Sequence, residues 1–197
     1  MRRSNRRLRR GTAMKTSVLK VGLVLGCLVF VGAAATQTPD GPPQSVAQVV
    51  ALDECDPTTF NAAIGPDFCK NVALAVLGYA TTIQDLFAQA AAGTPNPNWD
   101  FEPDTLHISK GTVVSVVDQG GEPHTFTEVK HYGGGFIAGL NSGQAPAPEC
   151  AAGFSDVAVA RTRIIQGSTS LVTGLSKGTH YFQCCIHPWM RVKVEVK

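Results

Sequence analysis

The chain has 197 residues, of which 44% are hydrophobic, and its formal net charge at pH 7 is +2. Residues 1–35 hold eight of the 17 Lys and Arg and none of the 15 acidic residues, so residues 36–197 carry a formal charge of −6. A negatively charged surface repels phosphate, which argues against a nucleic-acid partner. The remaining length, about 160 residues, suits one domain with a modest extension.

The first 35 residues have the layout of a secretory signal peptide. Basic residues lead into an apolar stretch at 21–31, and the small residues Ala33 and Ala35 suit cleavage by signal peptidase. The apolar stretch is shorter than a membrane-spanning helix requires. We therefore expect the mature protein to begin near Thr36, to be periplasmic or secreted, and to have no stable membrane insertion after cleavage.

The start of translation and the type of export signal in residues 1–35 have alternatives. Met14 opens a segment that is by itself a complete signal peptide, so translation starts at Met1 or at Met14. Arg6 and Arg7 allow a twin-arginine signal and Cys27 allows a lipoprotein anchor, but the residues around them fit those patterns poorly.

The next two segments are predicted to be a flexible linker and a helical extension. Residues 36–50 are rich in Pro, Gln and Ser, which predicts the linker. Residues 51–97 form the predicted extension. Its first helix is short, with Asp56 as the N-terminal cap and Pro57 at the first helical position.

A second, amphipathic helix is predicted over 72–92. Apolar residues recur there at helical spacing, and Thr82 precedes Asp85 by three residues, which is the pattern of a capping box.

Residues 98–197 change to a β-strand pattern, with alternating or β-branched runs separated by turns. The predicted strands are 105–109, 112–118, 124–129, 161–165, 169–173, 180–184 and 191–196. Many short strands favour an all-β Greek-key β-sandwich over an α/β fold. Residues 132–155 are rich in Gly, Ala and Pro without any period, which predicts an insertion packed over the sandwich.

Potential metal ligands are concentrated near the end of the chain. Cys184, His187 and Met190 form a C-x-x-H-x-x-M pattern, which places a thiolate, an imidazole and a thioether within seven residues. Thiolate and thioether favour Cu(I), while imidazole binds both oxidation states, so the set suits copper that cycles between Cu(I) and Cu(II). His124, after a Gly-Gly turn on another predicted strand, is the natural fourth ligand. Met190 is the only methionine after residue 35.

Two adjacent cysteines compete for the thiolate position. Successive residues of a strand point to opposite faces, so only one of Cys184 and Cys185 can meet an inward-facing His124. The two-residue spacing to His187 selects Cys184.

Residues 99–197, with the ending GTHYFQCCIHPWMRVKV, resemble the cupredoxin family, and within it the amicyanin and plastocyanin branch. In that family the residues matching His124, Cys184, His187 and Met190 bind one type 1 copper that transfers electrons between larger redox proteins. The resemblance therefore implies a copper cofactor, a redox partner protein and the function of an electron carrier. It also implies that His187 is the ligand nearest the surface and the route for electrons.

Two features depart from the family pattern. The spacing from His124 to Cys184 is longer than is usual for small carriers, which is consistent with the insertion at 132–155. Cys185 stands where a small hydroxyl residue commonly follows the ligand cysteine.

The disulfides follow once Cys184 is assigned to copper. Export places the remaining cysteines of the mature chain in an oxidising compartment, where they are expected to pair. The predicted pairs are Cys55 with Cys69 and Cys150 with Cys185.

No enzymatic activity is expected, because the sequence shows neither a second metal site nor paired carboxylates placed for acid-base catalysis. Two other functions remain open, copper storage or delivery and a subunit of a larger redox enzyme. Copper-delivery proteins favour exposed Met- or His-rich tracts, which residues 36–197 lack. Side chains expected to have no ligand role are His107, His131 and His180 (solvated or locally bonded), Glu122 and Glu128 (surface charges) and Trp189 (packing or partner docking).

Overall fold

The structure of the chain is a computed structural model that describes residues 44–70 and 80–197. The predicted signal peptide and the predicted linker up to residue 43 lie outside the described residues and stay predictions. All described residues belong to one compact unit, 41–197. Within them, no helix is both long enough and apolar enough to cross a membrane.

Strands predominate in the described chain. Its first half contains β1 (Val46–Leu52), α1 (Pro57–Ala63), α2 (Ile83–Ala91), β2 (Asp100–Glu102), β3 (Thr105–Ile108) and β4 (Val113–Asp118). Its second half contains β5 (His124–Thr125), β6 (Thr127–Val129), α3 (Val157–Arg161), β7 (Arg163–Ile164), β8 (Thr169–Val172), β9 (Gly178–Gln183) and β10 (Arg191–Val196). Two short 3-10 helices, Ala138–Leu140 and Gly153–Ser155, lie between β6 and α3.

The strands form two four-stranded mixed sheets. Their orders are β2-β1-β4-β8 and β3-β10-β9-β6, while β5 and β7 form a short separate pair. β1 runs parallel to β4 and β3 runs parallel to β10, whereas the other pairs within the two sheets are antiparallel. Consecutive strands such as β3 and β4, or β8 and β9, belong to different sheets, which is the connectivity of a Greek-key sandwich. The predicted all-β class is confirmed.

The hydrophobic core lies between the two sheets. Alternate residues of each strand face inward, as the regular alternation of buried and half-buried residues along β10 shows. Val114 and Val116 from the first sheet belong to the same buried cluster as Val192 and Val194 from the second. The ligand-bearing loops therefore extend from the end of a packed, rigid sandwich.

β1 corrects the linker prediction. Residues 46–50 belong to a strand that pairs with β2 on one side and with β4 on the other. Val46 stands opposite Val113, and Val49 and Ala51 are fully buried. The parallel partner lies 67 residues away in the sequence, so local composition could not indicate the pairing. The predicted helical extension accordingly begins with the last two residues of a sandwich strand.

α1 confirms the first predicted helix. The Asp56 side chain accepts hydrogen bonds from the N–H groups of Thr58 and Thr59, and Pro57 occupies the first turn. The buried ring of Phe60 anchors the helix to the core beside Trp99.

α2 is shorter than the predicted helix over 72–92. It begins at Ile83, because the Thr82 hydroxyl caps it by accepting a hydrogen bond from the Asp85 N–H at 3.1 Å. Thr81 is extended and pairs with Cys55. Residues 71–79 lie outside the described residues, so the prediction for them is not tested.

The predicted insertion at 132–155 is a long, mostly irregular loop fixed to the end of β9. The Phe136 N–H donates to the carbonyl of Cys185 at 2.9 Å, and the buried Gln183 side chain bonds the backbone of Gly133. A side chain on Gly135 would collide with the Cys185 carbonyl. The insertion is therefore packed closely against the segment that carries Cys184.

Both predicted disulfides are present. Cys55 is bonded to Cys69 and Cys150 to Cys185, which leaves Cys184 as the free cysteine among the described residues. The second bond ties the insertion to the residue next to the candidate copper ligand.

Removing the Cys55–Cys69 bond should lower stability substantially. The two cysteines are 14 residues apart, and closing a loop of about 15 residues restricts the unfolded chain by about 3 kcal/mol. We expect the Cys55→Ala, Cys69→Ala variant to lose about that much unfolding free energy in urea denaturation. Non-reducing peptide mapping of the wild-type protein is the control, since a different pairing would remove the basis of this expectation.

Candidate metal centre

Three of the four predicted ligands meet at one end of the sandwich. His124 opens β5, while Cys184 and His187 lie in the loop between β9 and β10. The Cys184 Sγ is 3.9 Å from the Nδ1 of His124 and 3.9 Å from the Nδ1 of His187. All three side chains are buried. His124 and Cys184 are 60 residues apart in the sequence, so it is the fold that brings them together.

Met190, the fourth predicted ligand, is fully buried in the same loop. Its N–H donates to the His187 carbonyl at 3.0 Å, and its carbonyl accepts from the Cys184 N–H at 3.1 Å. These two bonds close the loop on itself. The residues of the C-x-x-H-x-x-M pattern are therefore held in one tight turn, as predicted.

The environment of the Cys184 sulfur stabilises a thiolate. The N–H groups of Thr125 and His187 both point at Sγ, each at 3.4 Å. Burial opposes ionisation, but the imidazoles of His124 and His187 outweigh it and hold the pKa of the thiol well below its ordinary value. A deprotonated sulfur is the form that binds a metal ion.

The donor set fits a copper ion. Zinc, a divalent ion of similar size, bonds sulfur at roughly 2.3 Å and nitrogen at roughly 2.0 Å, which places the two atoms about 3.7 Å apart in a trigonal plane, and the observed separations are 3.9 Å. One cysteine and two histidines with a methionine nearby are the ligands of electron-transfer copper sites. His124, Cys184 and His187 are also a group whose ligand atoms all lie within 4.8 Å of one another.

Asp53 contacts His124 on the side away from the sulfur. Its Oδ2 is 2.8 Å from the Nε2 of His124, and both side chains are fully buried. Burial works against charge on both groups, but their mutual hydrogen bond prevails, raising the pKa of His124 well above its ordinary value and lowering that of Asp53. Asp53 was not predicted from the sequence, since nothing in its local pattern marks a carboxylate that reaches a histidine 71 residues away.

Glu122 corrects another expectation, because it is buried and is not a surface charge. Its Oε2 lies 3.5 Å from the Nε2 of His187, and its Oε1 has no hydrogen-bond partner among the residues that the structure describes. Burial raises the pKa of Glu122 well above the ordinary value, and the negative charge of Asp53 adds to this. Burial lowers the pKa of His187. The contact of 3.5 Å between Glu122 and His187 is therefore longer than the contact of 2.8 Å between Asp53 and His124.

His187 is also more enclosed than the family resemblance implies. Only 1% of its surface is exposed, whereas the ligand nearest the surface was expected to reach solvent. It forms part of the wall of an apolar cavity of about 310 Å³. That cavity is lined by side chains of α1, α2, the insertion and the ligand loop, including Phe60, Leu86, Phe136, Leu140 and Ile186.

The other histidines are placed as expected. His107 is an exposed partner of Glu195, and His180 bonds both Glu128 and the carbonyl of Ser176. His131 is exposed. Trp189 is half-buried with its ring 5.6 Å from that of His187, so it packs beside the site as predicted.

Comparisons with known proteins concern the fold. No protein-family model matches the chain, and no curated protein matches it. A solved purple cupredoxin from Nitrosopumilus maritimus is 14% identical over 77% of this chain and 99% of its own, with a TM-score of 0.39. A reduced amicyanin variant is 20% identical over 50% of this chain and 73% of its own, with a TM-score of 0.31. The β-sandwich of the present chain is assigned from its own two sheets and their connectivity.

Proposed function

We propose that this chain is an exported type 1 copper protein that carries single electrons between redox partners. The observation that carries this proposal is the buried Cys184 sulfur, which faces the Nδ1 atoms of His124 and His187, with Met190 in the same loop as Cys184 and His187. A bound copper ion would supply the Cu(I)/Cu(II) couple.

The protein's own contribution is a rigid site from which water is excluded. Hydrogen bonds inside the ligand loop and from Thr125 fix the sulfur. The Thr125 hydroxyl also accepts the Cys185 N–H at 2.7 Å, which fixes the loop to β5. A site with the same geometry in both oxidation states needs little rearrangement when an electron arrives or leaves.

Electrons need a route to the surface, and His187 together with Trp189 offers one. His187 itself is buried, but the half-buried indole of Trp189 is in ring contact with it. We therefore assign the electron exit to this pair of rings, with the redox partner docking over Trp189.

Copper delivery is less well supported than electron transfer. A delivery protein must release its ion to a partner, and release requires ligands that a partner can reach. All four proposed ligands here are at most 1% exposed. Export to the periplasm or the exterior remains part of the proposal and agrees with the two disulfides.

The test is a visible spectrum of the purified protein loaded with Cu(II), followed by voltammetry. An intense thiolate-to-copper band and a reversible one-electron wave are expected. Copper retention in the presence of an apo copper chaperone is the accompanying measurement. A colourless protein that yields its copper readily and shows no reversible wave would replace electron transfer with delivery.

The Met190→Gln variant tests whether Met190 is a weak axial ligand or a ligand that copper binding requires. An amide oxygen is a harder donor than a thioether and favours Cu(II), so the reduction potential should fall while copper stays bound. Voltammetry and metal analysis of the same sample check both statements. Loss of copper from this variant would show that Met190 is a main ligand.

A further inference from the structure

Asp53 is positioned by the sandwich, although it lies outside the family-like segment. It directly follows β1, which lies between β2 and β4 in the first sheet. The carboxylate is fully buried at the end of that strand. An isolated buried charge is costly, so its surroundings must compensate for it.

Four hydrogen-bond donors surround the carboxylate. Its Oδ1 accepts from the N–H of Gly121 at 2.9 Å and from that of Cys55 at 3.2 Å. Its Oδ2 accepts from the N–H of Glu122 at 3.0 Å and is 2.8 Å from the Nε2 of His124. Both oxygens are therefore satisfied, and three of the donors belong to the backbone.

The two glycines of the loop before His124 are required by this arrangement. A Cβ on Gly120 would collide with Oδ2 of Asp53. A Cβ on Gly121 would lie 2.5 Å from the Cys55 sulfur, in the disulfide beside Asp53. The backbone of this loop lies so close to the carboxylate that no side chain fits at either glycine. This close packing fixes the position of Asp53 relative to His124.

This contact decides which nitrogen of His124 is free. A carboxylate whose oxygens already receive three backbone N–H groups acts only as an acceptor, so the Nε2 of His124 donates to it. In the neutral imidazole the Nδ1 then keeps its lone pair, and this is the atom that faces the Cys184 sulfur at 3.9 Å. Carboxylates that hold a ligand histidine in this way orient its ring and strengthen its donation to the metal.

We infer that Asp53 is a positioning residue of the copper centre, which holds His124 with Nδ1 free for the ion and favours Cu(II) through its buried negative charge. The inference rests on the proposed copper function. It also gives the N-terminal extension a task beyond stability, because β1 and the Cys55–Cys69 bond place this carboxylate.

Asp53→Asn tests the inference, because it keeps the size and removes the charge. Loss of an outer-sphere partner typically weakens metal binding 10- to 100-fold, so the affinity for Cu(II), measured by chelator competition, should fall by that factor. The affinity for Cu(I) should fall less, and the reduction potential should rise by about 59 mV for each factor of ten between the two losses.

Asp118→Asn is the matched control. Asp118 is also buried nearby, but its Oδ1 accepts from the Gly120 N–H and it makes no hydrogen bond to His124. Burial raises the pKa of Asp118 to about 7, so the comparison belongs at pH 8, where both carboxylates are ionised. The control should change the Cu(II) affinity less than threefold. Equal effects of the two substitutions would overturn the specific role of Asp53.

Nitrogen NMR of the wild-type protein loaded with Cu(I) tests the contact without any substitution. The Nε2 proton of His124 should be shifted strongly downfield, as expected for a proton shared with a carboxylate. An Nε2 proton with an ordinary shift overturns the inference even if Asp53→Asn does not fold. A coloured wild-type centre with an unchanged Asp53→Asn variant removes only the role of Asp53, whereas a wild-type protein without a coloured centre removes the proposed function and this inference together.

Discussion

The Cys184→Ser variant is expected to fold and to lose the intense visible absorption of the copper-loaded protein completely. The colour arises from charge transfer between a thiolate and Cu(II), and Cys184 is the cysteine whose Sγ faces both imidazoles, at 3.9 Å each. A serine oxygen can neither produce this band nor match a thiolate as a soft ligand. The measurement is the visible spectrum at equal copper content.

The disulfide formed by the next residue in the sequence, Cys185, offers a matched control. The Cys150→Ser, Cys185→Ser variant removes the neighbouring disulfide but leaves Cys184 and both histidines unchanged. It should keep the coloured band while losing stability, because the insertion is no longer tied to the ligand loop. Colour that persisted in Cys184→Ser and disappeared in the control would mean that the ligand assignment is wrong.

The His124→Ala variant is expected to lose both strong copper binding and much of the stability of the apo-protein. The imidazole is a proposed ligand and, at the same time, the side-chain hydrogen-bond partner of the fully buried Asp53. Removing one member of a buried pair costs about 3–5 kcal/mol, and the Asp53 carboxylate keeps only its three backbone donors. Urea denaturation of the apo-protein and chelator competition for copper measure the two effects separately.

Two further variants show whether the loss comes from the buried pair. His180→Ala removes a histidine that pairs with the exposed Glu128, so its stability should stay within about 1 kcal/mol of the wild type. Adding Asp53→Asn to His124→Ala should recover part of the lost stability, because the unpaired charge is then gone. A double variant less stable than His124→Ala would contradict the view that this charge causes the loss.

The ligand loop was largely predictable because its information is local. Cys184, His187 and Met190 lie within one turn of seven residues, and their donor types favour copper without any knowledge of the fold. Strand alternation correctly separated Cys184 from Cys185, which points away into a disulfide. The two disulfides followed from the same assignment and are present.

The errors concern residues whose environment comes from distant parts of the chain. Residues 46–50 were predicted to be part of a linker from their local composition. Their partner strand β4 lies 67 residues further on, so local composition could not indicate that they form a strand. Glu122 was expected at the surface and His187 near it, since neither local composition nor the family pattern indicates that α1, α2 and the insertion enclose them.

The sequence by itself determined the β class, the disulfide pairs and the identity of the candidate ligands, since strand periodicity and ligand spacing act over a few residues. Only the tertiary structure decided that β1 joins the sandwich and that Asp53 bonds His124 in a buried site. Hydrogen bonds and burial between residues so far apart in the sequence depend on which strands become neighbours. The packing of the whole core determines which strands are neighbours.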